Sequence, residues 1–312
     1  MRSVRSPDAR KLAPFMEALS SKGEIMPDGN SVINLGDLAK PATVLIEKVC
    51  SAVGVLYEPQ RIKKKAAAEA EAEKIKALAN IELSEIEQRG LERLVHQEGR
   101  KQENIENITA KAAKELPPEA RTEELEEDWV AHFFDKCDKV SDESMQSLWS
   151  SLLAGEATKP GTYSKRTVDF VASMDKKDAD LFTKFCQFTW VLGELTPLVF
   201  NTDNEIYEKE GIDFTALKHL DAIGLISFEP TSDYLRMGYQ KQTVFFYYGQ
   251  PTLVEFSKEK DNQIQVGKVL FTQAGKELVN ICGAKRNQEF YEYAVQELSK
   301  QDLILSSLLL NK

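Results

Sequence analysis

Histidine and cysteine are scarce in this chain. Its 312 residues hold three histidines, His96, His132 and His219, and four cysteines, Cys50, Cys137, Cys186 and Cys282. No two cysteines stand at CxxC spacing, which excludes zinc-ribbon and thioredoxin-type patterns and fits buried free thiols in a reducing compartment. Positive charge is in deficit, with 40 Lys and Arg against 50 Asp and Glu and a net charge of −10. A general nucleic-acid binder presents a basic face to phosphates, so nucleic acid is not an expected partner. No apolar run reaches the ~20 residues of a membrane span. Near the start, Arg2, Arg5 and Arg10 are interleaved with Pro7 and Asp8 in place of the apolar core of a secretory signal. A cytoplasmic protein is expected.

Catalytic signatures are missing as well. No GxGxxG or GxSxG occurs, and Gly275-Lys276 is followed by Glu277 where a phosphate loop requires Ser or Thr. Asp128, His132 and Asp135 share part of one helix face, but a metal site needs more ligands and a supporting shell. The SxxK pattern occurs at Ser173–Lys176 and again at Ser257–Lys260, in unrelated contexts. These residues assign no catalytic, cofactor or metal site, and a non-enzymatic protein is expected.

Proline is absent between Pro59 and Pro117, and that gap holds the most informative stretch. Residues 60–116 read as one long helix of coiled-coil type, in which Ala, Glu and Lys lose little side-chain entropy. Over Ile62–Leu116 it would extend about 80 Å at 1.5 Å per residue. Leu83, Leu94, Ile105 and Leu116 recur every eleven residues, and Ile75, Ile86, Gln97 and Ile108 form a second row at the same spacing. An eleven-residue repeat corresponds to 3.67 residues per turn and favours straight or slightly right-handed coils. Charges are balanced, with 12 Lys and Arg against 11 Asp and Glu from Arg61 to Leu116. The seam points to a homo-oligomer held through Ile75, Leu83, Ile86, Leu94, Ile105, Ile108 and Leu116, although an exposed single helix laced by charge pairs has the same composition. Gly90 and Gly99 each weaken the helix by about 1 kcal/mol and suggest close backbone contact or a hinge.

Around this helix the chain divides into a mobile N-terminus (1–36), an apolar helix (37–58), a helical domain (119–198) and a small α+β portion (200–312). The apolar helix places Leu45, Val49, Val53 and Leu56 beside the basic cluster Lys63, Lys64 and Lys65. That combination suits an interfacial anchor, a peripheral contact at the inner membrane, while Glu47, Lys48 and the short length suit a buried packing helix. In the helical domain, a first helix covers Trp129–Val140, Ser141 or Asp142 caps a second reaching Glu156, Ser164 caps a third, and a fourth covers Asp178–Val191. Glu156 and Arg166 flank the Pro160-Gly161 turn with Tyr163 between them. An ion pair there would clasp two helices, or the trio would form a partner surface. The overall class expected is mainly α.

After Gly211, a short helix over Phe214–Ile223 leads to Gly224-Leu225-Ile226-Ser227-Phe228, then to paired strands around Gly249-Gln250-Pro251, a strand Ile264–Phe271 and a helix capped by Thr272. This order resembles the second half of a winged-helix domain. The helix in the recognition position offers only Lys218 and His219 beside Asp221, and from Phe200 to Lys312 there are 12 Lys and Arg against 16 Asp and Glu. A winged helix of that charge looks more like a protein-binding or sensing module than a DNA reader.

Three stretches carry a wider resemblance: Asp37-Leu38-Ala39-Lys40-Pro41-Ala42 with Leu45-Ile46-Glu47-Lys48; Ala70-Glu71-Ala72-Glu73-Lys74-Ile75; and Trp149-Ser150-Ser151-Leu152-Leu153-Ala154-Gly155-Glu156 with Pro160-Gly161 and Ser164-Lys165-Arg166-Thr167. Through them the chain resembles an uncharacterised bacterial family catalogued as domain of unknown function 2806. The resemblance implies an accessory gene of bacteria and prophages, a setting in which antiviral defence is a reasonable role, and it transfers no catalytic residue. The expectation is an oligomeric protein-interaction or sensing protein; the alternatives are a membrane-acting effector using residues 41–57 and a DNA-binding regulator.

Overall fold

A computed structural model of the protein describes residues 39–54 and 85–307. The N-terminal 1–36 region, Leu56, Lys63, Lys64, Lys65, Ile75 and Leu83 lie outside the described residues. The first helix, α1 (Lys40–Val53), begins with Pro41 in its first turn, where the missing N–H is no loss. It ends at Gly54, whose left-handed conformation lets its N–H reach the Cys50 carbonyl at 3.0 Å. Ala42, Leu45, Ile46 and Val49 fall on one face at i, i+3, i+4 and i+7, and all are buried.

That face packs against α2 (Glu85–Glu115) and α3 (Glu127–Cys137), while α2 also packs against α4 (Glu143–Thr158). The expected caps form: the Asp142 carboxylate accepts the N–H groups of Ser144 and Met145, and Ser164 accepts that of Thr167 at the start of α5 (Lys165–Ser173). Phe133 stands at the centre, stacked on Trp129 at 5.2 Å and edge-on to Trp149 at 5.2 Å. Asn104 is the polar exception in the α2–α4 contact. Its amide donates to the Asp138 carbonyl at 2.9 Å, and its oxygen accepts from Gln146 at 3.2 Å, so the buried pair is satisfied and fixes the α3–α4 loop.

The mainly α expectation is overturned. Of the described residues about 53% are helical and 17% are in strands, and the chain is mixed α/β with a five-stranded antiparallel sheet. The sheet runs β2-β1-β5-β6-β9, formed by β1 (Thr189–Val191), β2 (Leu195–Pro197), β5 (Gln242–Tyr247), β6 (Gln250–Glu255) and β9 (Ile304–Ser307). One of its strands, β1, occupies the end of the stretch Asp178–Val191 expected to be a helix. Helix α6 (Lys176–Cys186) instead stops at Cys186, and the aromatic and β-branched run Phe188-Thr189-Trp190-Val191 goes into the sheet. The apolar tail beginning at Leu303 contributes β9, so strands from the expected helical domain and from the expected α+β portion share one sheet.

The connection between these strands is a nested hairpin. After α7 (Glu205–Glu208) and α8 (Phe214–Ala222), β3 (Ile226–Phe228) pairs with β8 (Val269–Phe271), β4 (Tyr234–Tyr239) with β7 (Asn262–Gly267), and β5 with β6 at the tip. Tyr248 and Gly249 form the two-residue turn with φ of 46° and 78°, the paired positive values that match hairpin twist. Gly267 divides what the sequence presents as one strand. A Cβ at that position would lie 2.1 Å from the Val199 carbonyl oxygen, which Lys268 N–H reaches at 2.8 Å. Helices α9 (Gln273–Leu278) and α10 (Gln288–Ser299) follow. Trp190 stacks on Tyr247 at 5.2 Å and on Tyr291 of α10 at 5.4 Å, joining helix to sheet through aromatic rings.

Candidate interaction surface

Helix α2 has two halves. Its C-terminal half buries Asn104, Ile105, Ile108, Thr109, Ala112 and Ala113 within the fold. From Glu85 to Arg100 every residue is exposed except the half-buried Leu91. At 100° per residue an eleven-residue step drifts by only about 20°, so Leu94 continues the line of Ile105, and Ile86 that of Ile108. The buried face therefore extends into solvent, with Ile86 at 73% and Leu94 at 52% exposure. Of the expected seam, Ile105 and Ile108 are buried by their own chain, Leu116 is half-buried just past the helix, and Ile86 and Leu94 are exposed. A Cβ at Gly90 or Gly99 would meet nothing within 4 Å among the described residues of the chain itself.

Glu156, Tyr163 and Arg166 have unlike surroundings. Glu156 accepts the N–H of Gly161 at 2.6 Å and that of Tyr163 at 2.7 Å, one on each carboxylate oxygen, in place of the expected ion pair with Arg166. Backbone donors in the Pro-Gly turn are nearer than the guanidinium, which is exposed on α5. Burial raises the Glu156 pKa above the usual carboxylate range against the pull of those donors. Tyr163 is buried over Gly155, its carbonyl accepts from Trp129 at 2.8 Å, and burial, with Glu156 and Glu277 adding, pushes its hydroxyl up to about 12. Glu277 of α9 accepts from the Thr167 hydroxyl and the Ser164 N–H, so two carboxylates hold successive parts of this segment. The Glu277 contact spans 110 positions and has no local sequence signature.

The membrane contact expected of α1 is countered at Leu45 and Val49, which are 0% and 2% exposed against protein, while Val53 is half-buried. No helix among the described residues is long and apolar enough to cross a membrane. On α8, Lys218 bonds to Asp221 and sits over the Phe228 ring, and His219 lies 2.6 Å from Asp178 of α6. The two basic groups in the recognition position are thus engaged within the chain. His132 lies 3.0 Å from Asp169, and among the described residues no group of three or more His, Cys, Asp or Glu gathers to hold a metal ion.

The stretch from the exposed part of α2 to α10 also has a counterpart among known families: a family model described as a protein of unknown function (DUF2806) matches residues 88–295. The chain belongs to this family. The DUF2806 segment contains Leu94, the loop held by Glu156 and Glu277, and every strand except β9, and it leaves α1 outside. No curated protein and no solved structure matches the chain.

Proposed function

We propose that this DUF2806 protein is a non-enzymatic interaction protein that assembles with copies of itself through the exposed half of α2. The observation that carries this reading is the apolar face of Ile105 and Ile108 continuing, in phase, to the exposed Ile86 and Leu94. Large apolar side chains lined up on a helix bury their surface best against an identical row, and the balanced charges of this helix allow copies to approach without repulsion. The body supports a partner-binding role rather than DNA reading, because Lys218 and His219 are occupied internally and the chain is acidic. Bacterial antiviral defence is the setting the family resemblance suggests.

Sedimentation velocity of the full chain at micromolar concentration tests the assembly. Wild type is expected to sediment as an oligomer, and a double I86E/L94E variant as a folded monomer with an unchanged circular dichroism spectrum. A monomeric wild type would overturn the proposal. Phage plating on cells with and without the intact gene tests the setting, with reduced plating expected only when the gene is intact.

A further inference from the structure

The chain is acidic, yet one open cleft in it gathers positive charge. The cleft measures about 760 Å³ and is walled by three separate stretches: the end of α6 with Gln187, the residues just after α7, and the run from Gly283 into the first turn of α10. Four cations, Lys184, Lys209, Lys285 and Arg286, line it with two carboxylates, Glu210 and Glu289. Lys209 is engaged with Glu289 at 3.5 Å. Lys184, Lys285 and Arg286 have no carboxylate at ion-pair distance among the described residues. Four cations less two carboxylates give the lining a charge of +2, in a chain whose net charge is −10.

The walls are fixed without a ligand. The Thr183 hydroxyl donates to the Cys282 carbonyl at 2.9 Å, and the Asn287 amide donates to the Gln187 side-chain oxygen at 2.8 Å. The Tyr247 hydroxyl donates to the Gln187 carbonyl at 2.8 Å and receives the Asn287 N–H at 3.0 Å. These bonds tie the end of α6 to the entry of α10 across 100 positions of sequence. Arg286 is held as well, donating to the Gln288 side chain at 2.6 Å and lying over the Tyr291 ring at 5.5 Å.

We infer that this cleft binds a small phosphorylated sugar. Charge selects the anion: a phosphate monoester carries about −1.5 to −2 at pH 7 and balances the lining, whereas a single carboxylate leaves positive charge uncompensated. Size requires more than the phosphate, because the cleft falls within the range of about 300–1,000 Å³ that holds whole organic ligands. Lining chemistry selects the organic part. No aromatic or large aliphatic side chain lines the cleft, so an acyl chain finds no apolar wall and a nucleobase finds no ring to stack on. Amide and hydroxyl side chains stand there instead and match sugar hydroxyls. The first turn of α10, a helix of 12 residues, adds its positive end to the attraction for phosphate. The site is separate from the α2 seam and needs no assembly through it.

Isothermal titration calorimetry on the full chain at low salt tests this, with ribose 5-phosphate and glucose 6-phosphate as probes and ribose, inorganic phosphate and AMP as comparisons. At least one sugar phosphate is expected to bind, ribose to give no heat, inorganic phosphate to bind more weakly, and AMP to bind no more tightly than ribose 5-phosphate. Lys184→Ala and Lys285→Ala are each expected to weaken binding about tenfold, the loss of one charge-assisted bond. Both lysines are exposed, so the urea midpoint should stay at the wild-type value. Glu210→Gln, which removes a carboxylate from the lining, is expected to tighten binding. Absence of binding by both sugar phosphates at millimolar concentration would overturn the inference, as would wild-type affinity in the double lysine variant. Inorganic phosphate binding as tightly as the sugar phosphates, or AMP binding tenfold more tightly than ribose 5-phosphate, would overturn the choice of a sugar.

Discussion

Replacing Glu156 by glutamine keeps the size of the side chain and removes one of its two acceptor oxygens. In the native loop each oxygen takes one backbone N–H, from Gly161 at 2.6 Å and from Tyr163 at 2.7 Å. The glutamine oxygen keeps one of these bonds, and its NH2 group then points a donor at the other donor. A hydrogen bond to a charged group contributes about 1.5–3 kcal/mol, and a buried donor left unpaired costs about 1–3 kcal/mol, so Glu156→Gln is expected to destabilise the chain by about 2 kcal/mol. Glu156→Ala loses both bonds and leaves a space under Tyr163, for a cost of about 4 kcal/mol. Arg166→Ala is the control and should lie within about 0.5 kcal/mol of wild type, because Arg166 is exposed. Because burial raises the Glu156 pKa, its contribution is greatest below the ordinary carboxylate range and declines as pH rises through the raised value. The Gln penalty should therefore be larger at acid pH than at neutral pH. Urea unfolding followed by tryptophan fluorescence suits the measurement, since Trp129, Trp149 and Trp190 are all buried. With an m-value of about 3 kcal/mol/M, the Gln variant should unfold about 0.7 M earlier. A midpoint equal to wild type, or an Arg166→Ala cost equal to that of Glu156→Gln, would refute the reasoning and restore the ion pair.

Gly267→Ala sets a Cβ 2.1 Å from the Val199 carbonyl at a φ of 89°, and a loss of about 3 kcal/mol or insoluble expression is expected; a soluble variant with wild-type stability would mean that the two backbones separate freely. Leu45→Ala should cost about 2–5 kcal/mol in urea as a core truncation, whereas a membrane-facing position would tolerate it, and flotation on anionic vesicles should be absent for wild type. Glu194 bonds Lys276 at 2.7 Å and also Arg236, and these two bonds hold its carboxyl below the usual range. Its contribution is present above the unfolded value and is lost as pH falls through the lowered one, so melting temperatures of wild type and Glu194→Gln should converge as pH drops below about 4.5.

Local chemistry made the helical half legible. The Asp142 and Ser164 caps rest on interactions within a few residues, and they form where expected. The sheet was harder to read, because β1, β2 and β9 have only three or four residues each and cannot establish a period of two. The hairpin tip was expected around Gly249-Gln250-Pro251, but the turn takes Tyr248, which is no usual turn residue, and releases Gln250 and Pro251 to β6. The apolar character of α1 was plain, yet apolar residues alone do not say whether protein or lipid covers them, and only the α2 and α3 contacts decide it. The α2 seam keeps one period throughout, so nothing in it marked the point where the helix leaves the body. The Glu156–Arg166 pairing failed because charge complementarity ignores backbone donors.

The nested hairpin also sets a timetable for synthesis. Helices α1 to α4 pack against one another and against α5, all within residues 40–173, so these contacts can form while the ribosome is still translating the strands. The sheet has no such option. Strand β1 waits for Phe246 to pair with Val191, and β6 stays an open edge until Ile304–Ser307 emerges. Throughout that interval the nascent chain carries a folded helical body beside an unpaired, aromatic-rich ribbon, the species most prone to join a neighbour edge to edge. Loss of β9 would make that transient edge permanent, and the resulting chain should keep its helices while aggregating through β6.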